Sequence, residues 1–369
     1  MGSLEGRIKE LQNGHKKSVD DDQNMQVNSE ELPSTKATQP AASDERLPEE
    51  IHYFATPHST TLKHVLILIF YHMLPFTQFP FMIFCLELYW IYKWFGWVWV
   101  TAICAFLLAL AFVPPYYSKS IRRKARPMYE TLAAYLPAAK YIVPKTPFPC
   151  NKAYIFAFHP HGRMFYAYAM FSQLDEIWRE HIKLVQGELF QAAAGAFFQV
   201  PLTRSWFYVL GAMPADKQLI VDKLRKKDHV VIAVGGLREI YLGTQDDADL
   251  LYLKNRRGFL QIAMDEKTGV VPVYAFNENQ LFRHDSKAFL KFWENVNLYC
   301  KVGVPFMRGY FNLPMPYRKE LLITVGDPLF ANEGESIAEF QERYIQAVKQ
   351  LFDRYVGLSP DPNHKLIIT

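Results

Sequence analysis

His159 and His161 flank a proline and precede a glycine, in the run HPHG that ends the apolar stretch AYIFAF at residues 153–158. Imidazole titrates near neutral pH, so it suits proton transfer. On an extended backbone residues two apart share a face, and both rings are expected to converge on one site. Pro160 narrows the backbone choices there, and Gly162 permits a sharp turn. Three chemistries fit such a pair. The rings could be structural. They could bind a metal, since His-x-His occurs in metallohydrolases, but Arg163 and Met164 follow where further ligands are wanted. Or one ring could be a general base, and then no metal is expected.

A histidine base works better with a partner that fixes its tautomer. The stretch VVIAVGGLREIYLG, residues 230–243, supplies Glu239 just after Gly235 and Gly236. The glycines let backbone approach a ligand closely. Glu239 could accept an imidazole N–H, or it could serve as a dipole partner in the first turn of a helix. Arg256 and Arg257 stand before Gly258. Adjacent guanidinium groups suit phosphate, and the other reading is a solvated basic patch. The chain has no GxSxG, Walker loop or GxGxxG. The chemistry expected is direct transfer, without a covalent serine intermediate.

These residues need strand ends to hold them. Tyr154–Phe158, Val230–Val234, Val270–Phe276 and Leu321–Val325 are short β-branched or aromatic runs bounded by Gly, Pro or Asn. Helical patterns lie between them. In SIAEFQERYIQAVKQLFDRYVG, Ser336 and Glu339 form a capping-box pattern, apolar residues recur at helical spacing, and Gly357 can end the helix. Alternating strands and helices predict an α/β class with a mixed, mostly parallel sheet flanked by helices. Ligands of such sheets bind beyond the C-terminal ends of strands, where HPHG falls.

Half of the 369 residues are apolar, which provides a large core. The net charge of +4, with one short basic cluster, argues against a nucleic-acid partner. Residues 1–58 read as a disordered polar arm without a signal peptide. Residues 59–117 read as a membrane-embedded helical hairpin. Val65 to Leu86 is apolar but carries Pro75 and Pro80, and residues 94–113 carry no charge at all. Lys63 before the pair and five basic residues in SKSIRRKAR after it predict that both ends face the cytosol. That basic cluster could also sit on anionic headgroups. Residues 118–369 then form the cytosol-facing domain. Cys85, Cys104, Cys150 and Cys300 make no CxxC pair and read as buried reduced thiols.

HPHG at 159–162, VGGLRE at 234–239, RRGF at 256–259, VVPVYAF at 270–276 and PYRKELLITVGDP at 316–328 occur in that order. Together with the preceding apolar hairpin, the chain resembles the type-2 diacylglycerol acyltransferase family, which includes monoacylglycerol and wax-alcohol acyltransferases. The resemblance implies a glycerolipid-acyltransferase-like α/β fold and acyl-CoA as co-substrate, with no cofactor. It also implies a neutral-lipid acceptor and residence in the endoplasmic reticulum membrane and at lipid droplets. By the matching motifs His161 is the catalytic base, His159 a required neighbour and Glu239 the acidic partner. Pro160, Gly162, Gly235 and Gly236 line the substrate site, and Arg256, Arg257, Gly258 and Phe259 belong to the acyl-donor block. Diacylglycerol is the expected acceptor, with monoacylglycerol or a long-chain alcohol as alternatives and a metal-dependent membrane lipid hydrolase as a more distant one. Membrane lipid is an expected partner, and a homo-oligomer is compatible with this reading. Arg163 after HPHG, Asn277 before Glu278, the absent serine in MPADK and Phe106-Leu107-Leu108-Ala109 depart from the common pattern.

Overall fold

The computed structural model describes residues 51–54, 80–112, 116–174, 176–184, 186–199, 201–236, 239–240, 247–283, 286–300, 308–312 and 315–369. The strands are β1 (His52–Tyr53), β2 (Ala139–Ile142), β3 (Tyr154–His159), β4 (Leu189–Ala193), β5 (Ala212–Pro214), β6 (His229–Ala233), β7 (Ala248–Leu251), β8 (Gly269–Phe276), β9 (Leu321–Val325) and β10 (Lys365–Ile368). The helices are α1 (Pro80–Phe95), α2 (Trp97–Phe112), α3 (Lys119–Tyr135), α4 (Tyr166–Gln173), α5 (Pro201–Val209), α6 (Lys217–Arg225), α7 (Gly258–Asp265), α8 (Lys287–Cys300) and α9 (Ile337–Tyr355).

One sheet runs β1-β2-β9-β8-β3-β6-β4-β5, and a small second sheet joins β10 to β7 in parallel. In the large sheet β1 with β2 and β8 with β9 are antiparallel, while the other pairs are parallel. The sheet is thus mixed and mostly parallel. Strands β3, β8 and β9 are buried along their whole length, as strands covered on both faces must be. Alternate residues feed two cores. Phe156, Phe158, Val231 and Val273 face one, which α3 and α4 close. Ile155, Ala157, Val230 and Tyr274 face the other, which α6, α7 and α9 close. The register aligns strand ends: Phe158 lies opposite Ala233 of β6 and Val273 of β8. The loops that follow β3, β6 and β8 therefore emerge side by side on one edge.

Helix α9 starts as its sequence predicts. The Ser336 hydroxyl accepts from the Glu339 N–H, and the Glu339 carboxylate accepts from the Ser336 N–H. Its last turn gives way at Tyr355, so Gly357 lies in a following 3₁₀ turn.

Other expectations need correction. The uncharged run 94–113 does not make one helix. Gly96 takes φ +83, a left-handed conformation open to glycine, and divides α1 from α2. Each helix has 16 residues, and no helix among the described residues is long and apolar enough to cross a membrane. Most of the first apolar segment, like most of the polar arm, lies outside the described residues. His52 and Tyr53, placed in that arm, pair with β2, and the His52 ring lies 5.1 Å from that of Tyr141. Cys104 and Cys150 are free thiols but exposed, because one stands on the outward apolar side of α2 and the other in a surface turn. Arg122 of the basic cluster is buried and donates to the carbonyls of Leu189 and Ser172. That leaves Lys119, Arg123 and Lys124 as the cluster's exposed cations.

Candidate active site

His159 closes β3 and is wholly buried. Its Nε2 lies 2.7 Å from the Tyr344 hydroxyl on α9, and burial depresses its pKa to about 3. The peptide bond to Pro160 is cis. His161 is nearly buried, with its ring 4.4 Å from that of Phe165. Its Nδ1 lies 3.0 Å from the Gly162 carbonyl oxygen. A carbonyl only accepts, so this contact puts the ring proton on Nδ1 and leaves the Nε2 lone pair free. Burial, opposed by the backbone carbonyls and aided by Arg256, lowers the His161 pKa to about 4. The ring is therefore neutral at physiological pH, as a base must be.

The two rings do not share partners. His159 is tied to α9, and His161 to its own loop. Glu239 also departs from expectation, because its Oε2 accepts the backbone N–H of His161 at 3.1 Å rather than an imidazole N–H. The carboxylate orients the loop, and the Gly162 carbonyl orients the ring. Glu239 is wholly buried, and its Oε1 has no hydrogen-bond partner among the described residues. Burial, with the Asp249 charge adding to it, raises its pKa to about 8 against the His161 and Tyr252 N–H groups and Arg256.

Glycine makes these approaches feasible. A Cβ at Gly235 would sit 1.5 Å from Glu239 Oε2. At Gly162, where φ is +65, a Cβ would sit 2.5 Å from Glu278 Cγ. Glu278 follows β8 and spans to α4, where its oxygens accept the Tyr166 and Ala167 N–H groups at 2.9 and 3.0 Å. Those are orphan donors of a helix first turn, where a carboxylate is favoured. Burial raises the Glu278 pKa to about 7, despite these two bonds. Two acidic side chains thus grip the loop from neighbouring strand ends, Glu239 at His161 and Glu278 just beyond it.

In the basic block, Arg256 Nη2 donates to the Gly235 carbonyl at 3.1 Å, next to Gly236, and Arg257 Nε donates to Gln341 at 2.8 Å. Both arginines and Gly258 are exposed at the start of α7. Phe259 is not with them at the surface. It is buried in the second core, its ring 5.2 Å from that of Tyr344, and so supports the His159 partner. Arg163, an unexpected cation beside HPHG, is buried and donates to the Arg283 carbonyl at 2.8 Å.

Sequence reasoning passed over Tyr344, Glu278, Asn279, Asp249 and Tyr274. Asp249, on β7 of the second sheet, accepts from Tyr274 of β8 and from Asn279 just after it, each at 2.6 Å. The NEN run after β8 and an acid inside the strand ADLL were the available signals. Tyr344 gave none, because it reads as part of an apolar helical stripe. Among the described residues no three His, Cys, Asp or Glu groups are placed to hold a metal ion.

Residues 89–369, which span every strand-end loop above, match the family described as diacylglycerol acyltransferase. The chain belongs to this family. Diacylglycerol O-acyltransferase 1 of Schizosaccharomyces pombe is 29% identical over 246 residues, covering 62% of this chain and 70% of that one. The 2-acylglycerol O-acyltransferase 1 of Mus musculus is 27% identical over 234 residues, covering 58% of this chain and 69% of its own. Among solved structures, the 1-acyl-sn-glycerophosphate acyltransferase PlsC of Thermotoga maritima aligns over 78% of this chain and 95% of its own. Its TM-score of 0.38 at 14% identity is too low to carry an inference about this acyltransferase.

Proposed function

We propose that this family member transfers the acyl group of a fatty acyl-CoA to 1,2-diacylglycerol, giving triacylglycerol and CoA. The observation that carries the reading is the His161 ring, neutral and tautomerically fixed with Nε2 free. Nε2 takes the proton of the acceptor hydroxyl as its oxygen attacks the thioester carbonyl. The tetrahedral intermediate then expels the CoA thiolate, which takes the proton back from the imidazolium. Backbone N–H groups near Gly162 or Gly235-Gly236 are suited to the developing oxyanion. Exposed Arg256 and Arg257, at the α7 N-terminus, suit the phosphates of acyl-CoA. Acyl-CoA is a co-substrate here, and no cofactor is invoked.

The acceptor dissolves in a bilayer, and acyl-CoA arrives from water. Trp90, Trp94, Trp97 and Trp99 on α1 and α2 are each more than half exposed, as suits residues that meet a membrane surface. We place the enzyme at the endoplasmic reticulum membrane with its site facing the cytosol, and at lipid droplets. The two relatives above are named for different acceptors, so diacylglycerol, 2-acylglycerol and a long-chain alcohol must compete in the test. Membranes of a host lacking neutral-lipid synthesis would receive labelled oleoyl-CoA with each acceptor, beside His161→Ala. Labelled triacylglycerol that vanishes in the variant supports the reading. Diacylglycerol or wax ester moves the acceptor, and no ester from any acceptor overturns acyl transfer.

A further inference from the structure

Asp249 takes part in neither the chemistry nor the grip on the loop described above, yet it is 2% exposed. A carboxylate is costly to bury unless its oxygens are occupied. Here Oδ2 accepts from the Tyr274 hydroxyl, and Oδ1 accepts from Asn279 Nδ2, both at 2.6 Å. Its remaining partner comes from far along the chain. His364 Nε2 lies 3.3 Å from Oδ1, and His364 Nδ1 lies 3.5 Å from the half-buried Asp361 carboxylate. His364 is brought there by β10, which pairs in register with β7, Lys365 opposite Ala248 and Leu366 opposite Asp249. Lys365 also reaches Asp247 at 3.3 Å. Thr369 continues the clasp, its carbonyl accepting from Leu253 and Lys254 just before Arg256.

Two consequences reach the active site. Asn279, which Asp249 holds, is the neighbour of Glu278, and Glu278 holds the α4 N-terminus. The Asp249 charge also acts on both loop-gripping carboxylates, raising Glu239 and Glu278 alike. Glu239 faces Asp249, Arg256, Tyr274 and Tyr344, besides the His161 and Tyr252 N–H groups. Glu278 faces Asp249 and the Tyr166 and Ala167 N–H groups. Burial lowers the His364 pKa, but Asp249 and Asp361 more than offset it, and the net shift is upward. Asp249 and Asp361 thus favour protonation of His364 more than burial disfavours it.

We propose that Asp249, clasped by His364 just before β10, is a positioning residue for the acyl-transfer loop, fixing Asn279 beside Glu278 and setting the charge felt by Glu239 and Glu278. This rests on the acyl-transfer reading for its kinetic test and not for its structural one. The full chain in membranes, as wild type, Asp249→Asn, His364→Ala and His364→Gln, would be assayed for labelled ester from pH 6 to 9. Asp249→Asn is expected to lower kcat at least ~10-fold with little change in KM for oleoyl-CoA. Glu239 holds the His161 backbone, so its ionisation near pH 8 is expected to give an inflection in kcat, and loss of the Asp249 charge should move that inflection to lower pH by ~0.5 unit or more. His364→Ala should move it to higher pH and lower kcat. His364→Gln should move it the same way but restore most of kcat, since it keeps a donor without the charge.

Opposite shifts are not expected of a merely structural pair. An unmoved inflection in His364→Ala, or shifts of the same sign in Asp249→Asn and His364→Ala, would overturn the proposal, and the first criterion stands even if Asp249→Asn fails to accumulate. Amide hydrogen exchange at Tyr166 and Ala167 reads the positioning without chemistry. Faster exchange in His364→Ala than in wild type is expected, and equal protection would overturn it. If wild type makes no ester, the acyl-transfer reading fails and the exchange result alone decides this one.

Discussion

The sheet edge and helices α1 and α2 solve opposite problems. At the edge, polar groups are buried and mostly answered from within, one oxygen of Glu239 excepted: Glu239 Oε2 by the His161 N–H, Glu278 by two helix N–H groups, Asp249 by Tyr274, Asn279 and His364. On α1 and α2, apolar groups are exposed and the described residues do not cover them. Trp94 is 75% exposed and Phe112 79%. Buried polar groups without partners cost free energy, and so does a wide apolar surface in water. The edge has paid that cost internally, so its chemistry should fail when single residues change. The helices have not among the described residues, which suits the membrane contact proposed above, and single changes there should matter little.

The sharpest break in this comparison is His161→Ala. A general base contributes ~10² to 10⁴-fold, so ester formation should fall by that factor. The fold should survive, because the ring's contacts are its own loop and Phe165. His159→Ala should differ in kind. It strands the buried Tyr344 hydroxyl, which costs about 1–3 kcal/mol. A thermal shift larger in His159→Ala than in His161→Ala separates the two roles, and equal shifts would refute the separation.

Gly235→Ala comes next. The added Cβ would meet the Glu239 carboxylate and displace the group that fixes the His161 backbone. A misplacement of about 1 Å can cost ~10²-fold in rate, and a loss of that order is expected with KM for acyl-CoA little changed. An active Gly235→Ala enzyme would mean that Glu239 does not position the loop.

How much of this was legible follows the same division. Strands β3, β6, β8 and β9 show in the sequence because both faces are covered and the runs are continuously apolar. Strands β5, β7, β10 and β2 do not show, since they carry Pro214, Asp249, an alternating half-exposed pattern, and Lys140, which pairs with Glu320 at 2.9 Å. The histidine pair and the double glycine are legible because they interrupt apolar strands. The partners that fix them are not, because they come from distant segments. Tyr344 is 185 residues from His159, and no local pattern distinguishes a tyrosine packed for its ring from one used for its hydroxyl. The same limit turned Glu239 into an imidazole partner. Its position beside the loop followed from two strand ends, but which N–H it would take did not.

The buried groups of this edge, together with His229 at the far end of β6, should also set the pH dependence of stability. His159, His161 and His229 have folded pKa values of about 3, 4 and 4 against 6.5 unfolded. Their contribution is complete above 6.5 and is lost as pH falls toward those values. Glu278 and Glu239 run the other way, at about 7 and 8 against 4.5. Theirs is complete below 4.5 and is lost as pH rises through the folded values. Each group changes stability by roughly 1.4 kcal/mol per pH unit in its window. Between 4.5 and 6.5 the three histidines outweigh the two carboxylates, and above 6.5 only the carboxylate losses remain. These groups place maximal stability near pH 6.5. Denaturation of detergent-solubilised enzyme at pH 5, 6.5 and ~8 checks this, and Glu239→Gln should flatten the alkaline side.

The smallest expected effect on the enzyme itself is on α1 and α2. Replacing Trp90, Trp94, Trp97 and Trp99 with serine removes rings that the protein does not bury. Exposed substitutions usually stay within ~0.5 kcal/mol each, so thermal stability and transfer rate in mixed micelles should hardly move. What should change is partition. The variant should leave salt-washed membranes more readily than wild type, because aromatic rings at the interface anchor by their amphipathic character. If the variant stays bound and active, the membrane contact lies elsewhere in the chain. If it unfolds, those rings pack against protein and the contrast between the two regions is wrong. Only release with the rate in micelles preserved fits a surface whose partner is the lipid that carries the acceptor.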